Sequence, residues 1–406
     1  MSSFSSLRTA AALALVLALS LVSMTTTSAQ DASPVATPET DTEITAVATG
    51  LSAPRGFTWG PDGVLYVAQS GPGSSEAAVG AASSVVKIVD GCPVPAATGL
   101  PSTFDPFKDV LGPMDVQFVG PQMYVLQTAT GLYGHGSPTP PMPNGIYTAG
   151  QDGSVSLWLD LTSYIDAYPP IDMPGDANEL AEPYRFLYDG DGFWLIDSNR
   201  SLVFFIAMDK SITRVADLSL GHPILAAMTL DGQGGIYVGN LTPAPHADGA
   251  AEVVRIDRTG NIQRVWTNLT VLTGLALDSN NQLYALEMAT GNGGPDGMRP
   301  GTGRLLKQTG VDSYDIVAYG LEFPIDLRIG PDGAFYVSLP AYGENAQSGL
   351  ILRIPASASN LTVDLSTFDG GMCEGAAPYK APAAVPPGSP TAAPAGTPVP
   401  AATPAG

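Results

Sequence analysis

Positive charge is scarce in this sequence: 17 Lys and Arg stand against 38 Asp and Glu, and histidine occurs three times. A surface this acidic repels phosphate backbones, which removes nucleic acid from the expected partners and favours a soluble, exported chain. Cysteine is nearly absent. Cys92 and Cys373 are the whole complement, too far apart for a CxxC metal or redox motif. The apolar run Ala10–Val22 is shorter than the roughly 20 residues of a spanning helix. There is no glycine-flanked nucleophilic serine and no phosphate loop. Gly293-Gly294-Pro295-Asp296-Gly297 is glycine-rich but sits in a strand connection, not before a helix.

The ends of the chain are compositionally distinct. A weakly basic start at Arg8, the apolar run and the small residues Thr27, Ser28 and Ala29 read as a signal peptide, residues 1–29. The expected location is therefore secreted, extracellular or envelope-associated, with no membrane span after cleavage. Residues 30–42 read as a linker. From 376 to 406 the chain is Ala, Pro, Thr and Gly, with too little apolar surface to offset ordering entropy, and reads as a disordered tail. The folded region is expected over 43–375.

Within that region one phrase recurs six times: an apolar strand, a Gly/Asp turn and a strand centred on an aromatic. The first copy is Gly56-Phe57-Thr58-Trp59-Gly60-Pro61-Asp62-Gly63-Val64-Leu65-Tyr66-Val67; later copies centre on Tyr124, Trp194, Tyr237, Tyr284 and Tyr336. Their spacing of 43 to 70 residues fits a four-stranded blade with variable loops. The turns Gly60-Pro61-Asp62-Gly63 and Gly330-Pro331-Asp332-Gly333 supply a preset φ and then a positive one. Third strands follow at 85–89, 145–149, 202–208, 252–257, 304–308 and 350–355, and fourth strands in most copies. The expected fold is all-β, a six-bladed β-propeller.

Copy six lacks a convincing fourth strand, whereas residues 43–51 form a spare strand ahead of copy one. The N-terminal strand is expected to close the last blade and hide its edge, with residues 362–366 as the rival. Cys92 and Cys373 fall in segments attached to blades one and six, neighbours in such a ring, so a Cys92–Cys373 disulfide is expected in an oxidising compartment. Four Asn-x-Ser/Thr triplets begin at Asn199, Asn240, Asn268 and Asn360.

In order along the chain, Ala48-Thr49-Gly50-Leu51-Ser52-Ala53-Pro54-Arg55-Gly56 through Tyr66-Val67-Ala68, Thr98-Gly99-Leu100-Pro101-Ser102, Gly112-Pro113, Glu182-Pro183-Tyr184, Tyr237-Val238-Gly239-Asn240-Leu241-Thr242 and Leu283-Tyr284-Ala285-Leu286-Glu287 resemble the secreted ScyD/ScyE-type propellers. Arg185 departs from an expected glycine, and Gln69 and Asn240 from expected glutamates. The resemblance implies a secreted, NHL-like six-bladed propeller and supplies no catalytic mechanism.

The long second-to-third strand connections share one face with the connections between blades, which makes that face the expected binding surface. Three residues past each central aromatic lie Gln69, Gln127, Asp197, Asn240, Glu287 and Leu339: five polar side chains in six equivalent places. They form either a ligand ring or caps on strand ends and loops. Asp115, Arg185 and Asp326, near the starts of the innermost strands, point toward the channel mouth, either to hold a polar ligand or to pair with one another. His135, His222 and His246 lie on connections of the same face without metal-ligand spacing. Two functions follow. One is a binding or scaffold protein for a small molecule, polymer or protein, without catalytic residues. The other is a lactonase-like hydrolase in which Glu287, Asp197 and Asn240 hold a divalent cation and Arg185 anchors an anion, a reading by analogy of fold.

Overall fold

A hairpin needs its turn before it needs its strands, and here the turn aspartates fasten both. In the computed structural model Asp62 accepts the Val64 N–H at 3.1 Å and the Tyr66 hydroxyl at 3.1 Å. Asp332 takes the Ala334 N–H and the Tyr336 hydroxyl in the same way, and Asp189 takes the indole N–H of Trp194 at 3.0 Å. The central aromatics of these three phrases are thus tied to their own turns. Gly63 and Gly333 carry φ of 76° and 79°, the left-handed region that glycine enters without penalty.

The structure describes residues 43–73, 78–79, 83–104, 109–128, 142–172, 182–292, 297–368, 373 and 379–380. The expected signal peptide, the linker, His135, residues 293–296 and most of the expected tail lie outside them.

Six four-stranded antiparallel blades follow in order. Blade 1 comprises Pro54–Trp59, Leu65–Gln69, Ser84–Val89 and Cys92–Ala97; blade 2 comprises Pro113–Val119, Gln122–Gln127, Gly145–Ala149 and Val155–Asp160. Blade 3 comprises Pro183–Tyr188, Gly192–Asp197, Leu202–Ala207 and Ile212–Asp217; blade 4 comprises Leu225–Leu230, Ile236–Asn240, Ala251–Ile256 and Ile262–Leu269. Blade 5 comprises Leu272–Leu277, Leu283–Glu287, Gly303–Gln308 and Tyr314–Leu321. Blade 6 takes Asp326–Ile329, Phe335–Leu339 and Gly349–Ile354 from the end of the chain and Thr45–Leu51 from its start. The first strand of every blade adjoins those of both neighbours, so the ring closes around an axis. The expected six-bladed propeller with an N-terminal closing strand is the observed fold.

Thr45–Leu51 pairs antiparallel with Gly349–Ile354, placing Ala46 opposite Leu352 and Leu51 opposite Gly349. The rival segment does something else: Leu361–Thr362 adds a parallel fifth strand to blade 5. Cys92 and Cys373 form the expected disulfide across 281 residues, with Cα atoms 5.6 Å apart. The folded body runs past the expected limit at 375. Tyr379 is buried among Leu321, Leu350 and Leu365 and donates its hydroxyl to Glu322 at 2.7 Å.

Three elements were not foreseen. Cys92–Ala97 completes blade 1 although Pro93 and Pro95 interrupt it, which an outermost strand tolerates because its free edge needs no N–H donors. Ala78–Val79, Pro101–Phe104 and Val110–Leu111 make a small extra sheet. Thr162–Ala167 is a one-and-a-half-turn helix after blade 2.

The disulfide joins Cys373 to the first blade across the ring seam, so replacing both cysteines by serine releases a very long loop in the unfolded chain. The Cys92→Ser/Cys373→Ser variant is expected to lose stability on the order of 5 kcal/mol, read as a lower urea midpoint with an unchanged far-ultraviolet spectrum. An unchanged midpoint would show that strand pairing alone fixes the seam.

Candidate functional site

An innermost strand faces the axis, where six strands converge and water is excluded, so a charge placed there must find a partner. Asp115 of blade 2, Arg185 of blade 3 and Asp326 of blade 6 are all buried, and they meet. Arg185 Nη1 lies 3.1 Å from Asp326 Oδ1. Arg328, two residues beyond Asp326 on the same strand, bridges Asp326 Oδ2 at 3.0 Å and Asp115 at 3.3 Å. Backbone donors complete the cluster: Phe57 N–H to Asp326, and Val116 and Phe186 N–H to Asp115. Arg185 Nη2 donates to the carbonyls of Thr273 at 3.2 Å and Ile325 at 2.6 Å. Two arginines and two aspartates therefore neutralise one another across blades 1, 2, 3, 5 and 6.

The space for this knot is made by Gly56. A Cβ there would stand 2.2 Å from Asp115 Oδ1 and 3.0 Å from Arg185 Nη1. The residues preceding the charged ones, Met114, Tyr184 and Ile325, belong to one buried apolar cluster. Burial pushes the Asp115 carboxyl up to about 6 against the pull of Arg328 and Arg185, and pushes the Tyr184 hydroxyl up to about 12.

The five polar residues at the ends of the second strands are each bonded to a different segment of the chain. Gln69 Oε1 accepts the Ser52 N–H at 3.1 Å, Asp197 Oδ2 the Glu182 N–H at 2.6 Å and Glu287 Oε1 the Thr270 N–H at 2.8 Å. Each fastens the connection entering its own blade. Asn240 accepts from Glu252 N–H at 2.9 Å, and Gln127 donates to the Pro101 carbonyl of the extra sheet at 3.0 Å. All five are buried. Glu287 is further held by Arg304, at 2.7 Å from Nε and 2.5 Å from Nη2; burial nevertheless raises its carboxyl to about 7.

The same junction is built into every blade by the backbone. Ser70, Thr128, Ser198, Leu241 and Met288, each next after a second strand, and Ala341, one residue further on after Pro340, donate their N–H to Ala53, Gly112, Glu182, Ile224, Val271 and Phe323 respectively. Four of these acceptors, Ala53, Ile224, Val271 and Phe323, have positive φ between 38° and 61°, a conformation L-residues with branched side chains rarely adopt.

The two described histidines serve loops as well: His222 Nε2 lies 3.0 Å from the Asn199 carbonyl and His246 Nδ1 2.7 Å from that of Thr242. Among the described residues no three His, Cys, Asp or Glu side chains converge as metal ligands. Sequence reasoning missed Arg328, although its i, i+2 spacing from Asp326 puts both on one strand face. It also missed Arg304 and Arg55, the latter donating to Asp109 at 2.5 Å and to the Val110 carbonyl.

No protein-family model and no curated protein matches the chain. Solved structures do. An oxidoreductase of Thermus thermophilus described as a glucose dehydrogenase superposes with a TM-score of 0.51 at 14% identity, covering 77% of this chain and 99% of that one. A PQQ-bound aldose sugar dehydrogenase from Streptomyces coelicolor gives 0.51 at 12% identity, over 78% and 100%. Identities this low establish the propeller fold and nothing finer.

Removing one member of the axial knot strands a buried charge. Arg185→Met is expected to cost about 3 to 5 kcal/mol, and Gly56→Ala to destabilise by intruding on Asp115. Adding Asp115→Ala to Gly56→Ala relieves that clash, so the double variant is expected to fall short of the summed losses in urea unfolding. Strict additivity would mean that Gly56 does not make room for Asp115.

Proposed function

We propose that this chain is an exported, non-catalytic binding or scaffold protein of the ScyD/ScyE type that engages a small molecule, polymer or protein through its long-looped face. The observation that carries this reading is the commitment of the axial and strand-end polar groups to the fold: Asp115, Arg185, Asp326 and Arg328 to one another, Gln69, Asp197 and Glu287 to loop N–H groups, and Asn240 to a strand N–H. An enzyme requires preorganised groups aimed at a substrate; here the groups available to a propeller enzyme are aimed at the protein. The resemblance in the ordered phrases from Ala48 to Glu287, the acidic composition and a disulfide that suits an oxidising compartment support export.

The hydrolase alternative requires Glu287, Asp197 and Asn240 to share a cation, and each is bonded to a different segment. The PQQ-bound neighbour raises a second enzyme reading, in which the buried arginines would have to hold PQQ, a tricarboxylate. It does not fit the described residues: Arg185 and Arg328 are neutralised by Asp326 and Asp115, and Arg55 is paired with Asp109.

The test is metal analysis and thermal unfolding of the purified protein with and without chelator, alongside Glu287→Gln. The expected outcome is no stoichiometric divalent metal and a melting temperature indifferent to chelator. A metal lost in Glu287→Gln, with chelator-sensitive unfolding, would overturn the reading in favour of the hydrolase. Burial raises the Glu287 carboxyl to about 7, so the folded state holds a proton that the unfolded chain releases near its ordinary value of about 4.3. Wild-type stability is therefore expected to fall from below pH 5 toward pH 7 relative to Glu287→Gln, and a parallel pair of pH profiles would refute that assignment.

A further inference from the structure

The four Asn-x-Ser/Thr triplets are indistinguishable in sequence and sharply different in the fold. Asn199 and Asn240 are 6% exposed, and both belong to the junctions described above. The amide oxygen of Asn240 accepts the Glu252 N–H at 2.9 Å, and the carbonyl of Asn199 meets His222. A glycan on either would have to lie inside the blade. Asn268 and Asn360 are exposed. Asn268 is the penultimate residue of the outer strand of blade 4, with φ of 63°, and Asn360 stands at φ of 51° beside the fifth strand of blade 5. A left-handed backbone accounts for asparagine at these positions. It does not account for an exposed asparagine followed two residues later by a threonine, Thr362 exposed and Thr270 buried with its hydroxyl accepting the Gly249 N–H at 3.0 Å.

We infer that Asn268 and Asn360 are acceptor sites for N-linked glycan, and that Asn199 and Asn240 are not. This rests on the export reading. The donor is an oligosaccharide carried on a lipid diphosphate. The Asn amide nitrogen forms a bond to the anomeric carbon, the bond from that carbon to the phosphate oxygen breaks, the lipid diphosphate departs and the amide gives up one proton. Both acceptors lie on the rims of adjacent blades. Blade 1 guards its outer edge with Pro93 and Pro95 and blade 5 with Leu361–Thr362; a glycan at Asn268 would shield the outer strand of blade 4 in the same sense.

The experiment is expression of the full chain in a eukaryotic secretory host, followed by enzymatic deglycosylation in heavy-oxygen water and peptide mass spectrometry of the secreted product. Occupancy at Asn268 and Asn360, none at Asn199 or Asn240, and a mobility shift that halves in Asn268→Gln or Asn360→Gln and vanishes in the double variant are expected. A parallel preparation places the host's own leader ahead of the full chain. Glycan in that preparation alone would refute export by the native N-terminal segment and leave the acceptor assignment standing. Folded, secreted protein bare at Asn268 and Asn360, or glycan at Asn199 or Asn240, would overturn the assignment.

Discussion

Pairing between Thr45–Leu51 and Gly349–Ile354 is the contact on which everything else rests. A ring of blades has no internal edge to stop it opening except where its ends meet, and here one strand from the start of the chain must find three from the end. Contacts of such sequence separation are costly in loop entropy, and the seam is reinforced accordingly. Cys373 is bonded to the turn of blade 1 and lies against Thr49 of the closing strand, while Tyr379 is anchored on Glu322 between blades 5 and 6. Cys373 and Tyr379 thus hold both sides of the seam.

Closure is also what assembles the axis. Asp326 belongs to the last blade, yet it accepts an N–H from Phe57 in the first and a guanidinium from Arg185 in the third. Arg328 reaches Asp115 in the second. None of these bonds can form in an open chain, and once formed they leave no charge uncompensated. Buried ion pairs add little net stability because desolvation offsets attraction, but a broken one is costly. Such a knot therefore disfavours alternative blade registers more than it deepens the native state, and it commits Asp115, Arg185, Asp326 and Arg328 to one another.

How legible this was depended on whether a feature repeats. The blades were readable because the turn, the aromatic and the alternating strands recur six times, each copy correcting the others. The closing strand was readable by subtraction, and the disulfide followed from adjacency in the ring. Cys92–Ala97 was hidden by two prolines that argue against a strand until its place at the rim is known. The partners Arg328 and Asp109 were hidden for a different reason: Arg328 meets Asp115 and Arg55 meets Asp109 across blade boundaries, 213 and 54 positions apart, and nothing local marks such a pair. Arg304 meets Glu287 within blade 5, as its neighbour on the next strand, which the strand register had to reveal. Tyr379, a lone aromatic in a Pro/Ala-rich stretch, was the one signal that the folded body extends past 375.

The polar residues at equivalent positions show why periodicity misleads about function. Every blade must satisfy the N–H groups where its innermost strand begins, and a carboxylate or amide at the end of the second strand is placed to do it. Repetition of a structural need produces repetition of a residue type, so Gln69, Asp197 and Glu287 look like a ring in sequence and act separately in space. Residues that break the repeat carry more information. Arg55 and Tyr184 occupy one strand position in different blades, as do Gly56, Asp115, Arg185 and Asp326 at the next, and these irregular choices are what fit together at the axis. On the binding reading proposed above, recognition falls to elements that neither repeat nor brace the ring, the unequal connections of the long-looped face.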